Sequence, residues 1–159
     1  EGYDISNISG AESVASMVVF EGGEPKKSEY RKFKIKSVTG INDVAMMKEV
    51  LRRRFAREEQ RIQNAEQSWK MPNLILIDGG WGQVNAAREI LSNHHFDIPL
   101  VGIAKGLKRK QDRPIYEKDN SELERVVEQY KNILLRVRDE AHRFAISYHR
   151  ARMRKRLKN

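Results

Sequence analysis

Two carboxylates and an imidazole carry the chemistry this sequence can offer. NLILIDGG, residues 73–80, is an apolar run of strand length that ends in Asp78 and two glycines. Asp4 stands in a second strand-like stretch, GYDISNI at residues 2–8. A lone strand-end aspartate before Gly-Gly is a common turn or cap residue, and an aspartate in YDISN can cap a local turn. A pair is different. If the two strands are neighbours, their carboxylates face each other at short range and repel unless a cation lies between them. Hard divalent ions such as Mg²⁺ and Mn²⁺ take oxygen ligands and keep several waters. That combination polarises a phosphoryl group and supplies a nucleophile from water. His142, in RVRDEAHRFAISYHR at residues 136–150, sits on the flank of an apolar helical stripe with Arg138 one turn before it. Such a histidine is commonly structural. Beside a carboxylate pair it can be a base, an acid or a metal ligand. Asp139 and Glu140 read as solvated, and His94, His95 and His149 have no comparable setting.

Other chemistries fail on the residues present. There is no GxxxxGK(S/T) phosphate loop. Gly79, Gly80 and Gly82 open a helix after a strand, but GGxG lacks the dinucleotide spacing. A phosphate at that helix start remains physically reasonable. No serine occupies a nucleophile elbow, and the chain has no cysteine. Disulfides and thiolate metal sites are thereby excluded, which fits a reducing cytoplasm.

The elements that must position these groups follow from periodicity. Strands are expected at 2–8, at 13–21 and around Glu29–Ser37, with Gly22-Gly23 as a hairpin turn. The third strand loses strict alternation at Arg31-Lys32, which points to a bulge or to a misjudged register. From Asp43 the period becomes helical, through Val44, Met47, Val50 or Leu51, and Phe55, with Asn42 or Asp43 as cap. Residues 73–78 and 99–105 read as central strands, with a helix over Gln83–Leu91 between them. A short strand is expected at Ile115-Tyr116. A terminal helix, in one piece or two, should run from Ser121 to about Lys158, with a stripe at Ile133, Leu134, Val137, Ala141, Phe144, Ala145 and Tyr148. A meander followed by a crossover helix places the fourth strand beside the first. Asp4 and Asp78 then flank a switch point, where ligands tend to sit.

The length of 159 residues suits one domain. Residues 101–159 hold 17 basic and 8 acidic side chains, the whole of the net +9. A one-sided excess of this kind favours a polyanion such as nucleic acid. No apolar run is long enough to span a membrane. The chain opens on Glu1, which suggests a segment of a longer protein.

YDISNISG, VASMVVFEGGEPKKSEYRKFKI, LILIDGGWGQVNAA, GIAKGLKR and RDEAHRFAISYHRARMRK, in this order, resemble the C-terminal endonuclease domain of bacterial UvrC, the incision subunit of the nucleotide excision repair excinuclease. The resemblance implies a single domain over 1–159 with a ribonuclease H-like α/β fold. Its mixed sheet of five or six strands would have three antiparallel then parallel strands and helices on both faces. It implies DNA as substrate, the incision 5′ of the lesion, Mg²⁺ or Mn²⁺, and an Asp, Asp, His triad that falls on Asp4, Asp78 and His142. Asp4 and Asp78 would hold one metal. A further implicated acid falls on Asp43, whose alternative role is the helix cap. Lys105, Lys108, Arg109, Arg138 and Arg143 would hold the DNA backbone without reading sequence. UvrA and UvrB would be partners through the full-length protein.

Two departures stand out. Relatives commonly carry lysine in DGGKGQ where this chain has Trp81, so a phosphate contact is lost or replaced by stacking. Residues 57–71 are long and read as a surface extension. The helix-hairpin-helix module, the GIY-YIG nuclease domain and the UvrB-binding region are not in this sequence, so the segment alone should bind DNA weakly and cut poorly. The alternative reading is a catalytically silent basic domain of the same fold that binds DNA or a partner. A ribonuclease acting on RNA–DNA hybrids would share the fold and metal.

Overall fold

The computed structural model describes residues 1–7, 13–63, 70–106 and 111–156. The elements run β1 (Gly2–Ser6), β2 (Val14–Val18), β3 (Phe20–Glu21), β4 (Glu24–Pro25), β5 (Arg31–Lys34), α1 (Asp43–Gln63), β6 (Ile75–Asp78), α2 (Trp81–Asn93), β7 (Leu100–Ala104), β8 (Arg113–Ile115) and α3 (Ser121–Arg156). Six strands form one mixed sheet in the order β5-β2-β1-β6-β7-β8. β1, β6 and β7 are parallel to one another, and the remaining pairings are antiparallel. The fourth long strand therefore lies beside the first, as the crossover argument requires.

Side-chain alternation divides the core in two. Tyr3, Met17, Phe33, Ile75 and Ile77 face α1 and α2, where Met47, Leu51, Phe55, Val84 and Ile90 meet them. Val18, Leu76, Val101 and Ile103 face α3, where Leu134, Val137 and Ala141 meet them. β6 is buried on both sides, which is why it reads as an unbroken apolar run.

The irregular alternation in the third strand is not a bulge. β5 pairs with β2 in regular register, from Val14↔Lys34 to Met17↔Arg31. Tyr30 instead belongs to the α3 face and Phe33 to the opposite one, so both parities are apolar. The expected turn at Gly22-Gly23 joins β3 to β4, and both glycines have positive φ, at 60° and 82°. Those angles suit the tight hairpin turn that matches strand twist.

Helix boundaries shift modestly from the sequence reading. α2 begins at Trp81 rather than Gln83, and the Gln83 side-chain oxygen accepts a hydrogen bond from the Gly80 N–H at 3.1 Å. α3 is kinked at Tyr130, which matches the reading in two pieces. Asn42 caps α1, its side-chain oxygen accepting from the Ala45 N–H at 3.0 Å. Val44, expected in the apolar stripe, is partly exposed at the helix start. The expected extension over 57–71 continues α1 to Gln63, and residues 64–69 lie outside the described residues. Among the described residues no helix is long and apolar enough to cross a membrane.

Candidate active site

β1 and β6 position the two aspartates. Tyr3 pairs with Ile77, so one further step along both parallel strands sets Asp4 beside Asp78. Alternation turns both side chains to the α3 face, since Tyr3 and Ile77 belong to the opposite core. α3 supplies the third group. Ala141 is fully buried over the sheet, and its carbonyl accepts a hydrogen bond from the buried Ser16 hydroxyl at 2.8 Å. That contact fixes the helix where the next residue, His142, overhangs Asp4. His142 Nδ1 lies 3.2 Å from Asp4 Oδ2. One ligand atom from each of Asp4, Asp78 and His142 falls within 4.8 Å of the others.

Asp4 is buried, Asp78 partly buried and His142 exposed. Burial pushes the Asp4 carboxyl up to about 6; the Asp78 charge adds to the rise, and His142 and Lys105 oppose it. Burial also raises Asp78, against the opposing charges of Arg138, His142 and Lys105. The protein alone thus compensates this pair incompletely. Two oxygen donors and one imidazole, crowded and under-compensated, are a fitting donor set for a hard divalent cation.

The triad opens onto a cleft of about 770 Å³ lined by Asp78, Lys105, Arg138, His142, Arg143 and the following turns of α3. Lys105 stands exposed just past the end of β7. Arg138 pairs with Asp112 and, at 2.7 Å, with Asp139. Arg143 makes two hydrogen bonds to Glu140, at 2.6 and 2.7 Å. Glu140, expected to be solvated, is instead partly buried and also accepts from the Tyr30 hydroxyl at 3.1 Å. Asp139 is mostly exposed, as expected, though paired. Lys108 and Arg109 lie outside the described residues.

Asp43 is not part of the triad. The capping role belongs to Asn42, which leaves Asp43 to accept a 2.6 Å hydrogen bond from Asn7 just past the end of β1. Asp112 was not singled out by the sequence. It accepts from the Gly106 N–H at 3.2 Å as well as from Arg138, so it closes the loop between β7 and β8 and ties it to α3. Nothing in the local pattern QDRP distinguishes it, because its charged partner Arg138 comes from α3.

The family model described as the UvrC RNAse H endonuclease domain matches residues 1–146. UvrABC system protein C of Methanococcoides burtonii is 52% identical over 161 residues, covering 99% of this chain and 25% of that protein. The protein of the same name from Clostridium tetani is 47% identical, covering 99% of this chain and 26% of that one. The chain spans about a quarter of the length of the curated relatives it matches. A crystal structure of Ciona intestinalis endonuclease V with a 24-mer DNA containing inosine is a distant likeness, at 18% identity and a TM-score of 0.42, covering 83% of this chain and 54% of that one. With a family model over residues 1–146 and relatives at this identity along nearly its whole length, the chain belongs to the UvrC RNase H endonuclease domain family.

Proposed function

We propose that this domain hydrolyses a DNA phosphodiester in a divalent-metal-dependent reaction, with Asp4 and Asp78 as metal ligands and His142 as proton acceptor. The observation that carries the reading is the convergence of three donor atoms within 4.8 Å of one another beside a cleft with cationic walls. A bound Mg²⁺ or Mn²⁺ would lower the pKa of a water and offset charge on the scissile phosphate. In the tautomer that carries its proton on Nδ1, facing Asp4 Oδ2 at 3.2 Å, the His142 imidazole would keep its lone pair on Nε2. From there it takes a proton from water, and the Asp4 carboxylate steadies the ring as it becomes charged. Arg138, held by Asp112 and Asp139, lends positive charge to the Asp78 side of the site. Lys105 and Arg143, with Lys108 and Arg109, hold phosphates flanking the cut. Asp43 supports the site indirectly, by fixing the start of α1 to the residue after β1.

In the whole protein this activity would be the incision 5′ of a lesion in nucleotide excision repair, in the cytoplasm and in company with UvrA and UvrB. The family and the names of the relatives support that assignment. Asp78→Asn is the deciding variant. In the full-length protein it should reduce 5′ incision of damaged duplex by at least about a thousandfold, with DNA affinity within a few-fold. Incision at the wild-type rate would end the proposal. Retained affinity for a wild-type chain that cuts neither damaged duplex nor hybrid would mark a silent binding domain.

A further inference from the structure

Large exposed apolar side chains are few among the described residues, and four of the five lie at one end of the fold. Ile41 is 83% exposed, Trp81 45%, and Val44 and Ile146 37% each; the fifth, Tyr130, is at the kink of α3. Ile146 lines the active-site cleft. The other three sit where α1 and α2 begin. These two starts touch: a Cβ placed on Gly82 would lie 3.2 Å from a methyl of Val44. The helices continue side by side, Lys48 pairing with Glu89 at 2.6 Å. The Asn7–Asp43 bond fixes the start of α1 to the end of β1. Trp81 follows Asp78 by three residues, at most about 10 Å of chain.

The carboxylate pair therefore stands between two unlike surfaces. On the α3 side the cleft is cationic, with Lys105, Arg143, Arg150 and Arg154. On the other side, the starts of α1 and α2 expose Ile41, Val44 and the Trp81 indole. A nucleic-acid strand has the same division, charged phosphates along one side and flat apolar bases along the other. We propose that Trp81, beside the contact of Gly82 with Val44, is a stacking platform for an unpaired base next to the scissile phosphate. The site would thereby favour distorted over fully paired duplex. This inference rests on the phosphodiesterase reading above. A protein segment seated on the same rim would cover the strand ends through which the phosphate must enter, so the nucleobase is the better occupant.

The test uses the chain with Trp69→Phe, which leaves Trp81 as its one tryptophan, and with Ca²⁺ present to limit cutting. Two duplexes of one sequence are compared, one fully paired and one with a single unpaired thymine. Binding is followed by anisotropy of labelled DNA, and stacking by tryptophan emission with unlabelled DNA. The unpaired-base duplex should quench Trp81 emission more than the paired one. Trp81→Ala should weaken binding of the unpaired-base duplex about tenfold, leave the paired duplex within twofold, and keep the melting temperature; Trp81→Tyr should recover most of the loss. Binding without quenching, or an equal loss on both duplexes, overturns the stacking platform and leaves the nuclease reading intact. If Trp81→Ala binds both duplexes normally but turns a self-associating chain monomeric in sedimentation, the rim is a protein interface and the inference falls. Absence of binding to either duplex overturns the stacking platform, and incision by Asp78→Asn in the full-length protein removes the nuclease reading by itself.

Discussion

Asp4 places a destabilising charge inside the fold. Its carboxyl is pushed up to about 6 by burial and by Asp78. The folded chain therefore keeps a proton that the unfolded chain has released, between about pH 4 and pH 6. Stability falls as pH rises through that window, because there the native state binds more protons than the unfolded state. Asp4→Asn should accordingly stabilise the metal-free chain at pH 7 by about 2–3 kcal/mol. The gain should vanish near pH 4. Urea denaturation at the two pH values measures it, and an equal gain at both would contradict the assignment. Added Mn²⁺ should raise the melting temperature of the wild type and leave that of Asp4→Asn nearly unchanged. At this scale the grouping of Asp4, Asp78 and His142 was legible not in any one local pattern but in the sheet order read from periodicity, which set the two aspartates side by side. Asp112 and Ser16 were not visible. Arg138 and Ala141, the partners that tie them to α3, are brought to them only by tertiary contacts.

The elements hold the triad through close packing at positions without a side chain. A Cβ on Gly102, in β7, would lie 2.6 Å from a Val84 methyl, 2.7 Å from Ile115 and 3.0 Å from the Gly79 carbonyl oxygen. The last neighbour directly follows Asp78. Gly102→Ala should cost about 1–3 kcal/mol by overpacking and displace the turn that carries Asp78. A lowered urea midpoint together with weaker Mn²⁺ affinity is the expected pair of results; lost stability with unchanged metal affinity would show that the turn does not yield. Strand order, helix positions and the hairpin at Gly22-Gly23 were legible in periodicity and turn chemistry. Of the bulge and the misjudged register that the slip at Arg31-Lys32 allowed, the second holds: Tyr30 lies before β5 and packs on the α3 face, while Phe33 inside the strand faces the other core. Glu140 was misread for a related reason. Its sequence neighbours are charged, but its hydroxyl partner Tyr30 arrives from the far edge of the sheet.

Across the whole molecule, charge and apolar surface are sorted around one edge. The basic excess of residues 101–159 reaches the cleft through Lys105 and α3, while the apolar rim belongs to the first turns of α1 and α2. Composition alone announced the first surface. The second was legible only in part: Trp81 stood out where relatives carry lysine, but the exposure of Val44 beside it was not, since Val44 reads as an ordinary member of the α1 stripe. The triad also has a consequence in time. Asp4 and His142 are 138 residues apart along the chain, and Asp78 reaches Asp4 only when the parallel pairing of β1 with β6 closes. Long-range parallel pairing of this kind is slow to form. If it closes after the folding barrier, an ion bound by all three groups finds no site in the transition state. Mn²⁺ should then slow unfolding in a stopped-flow chevron and leave the refolding rate where it was. A faster refolding limb would place the strand pair among the first contacts made. In kinetic terms the three residues form a clasp that is fastened last and released first.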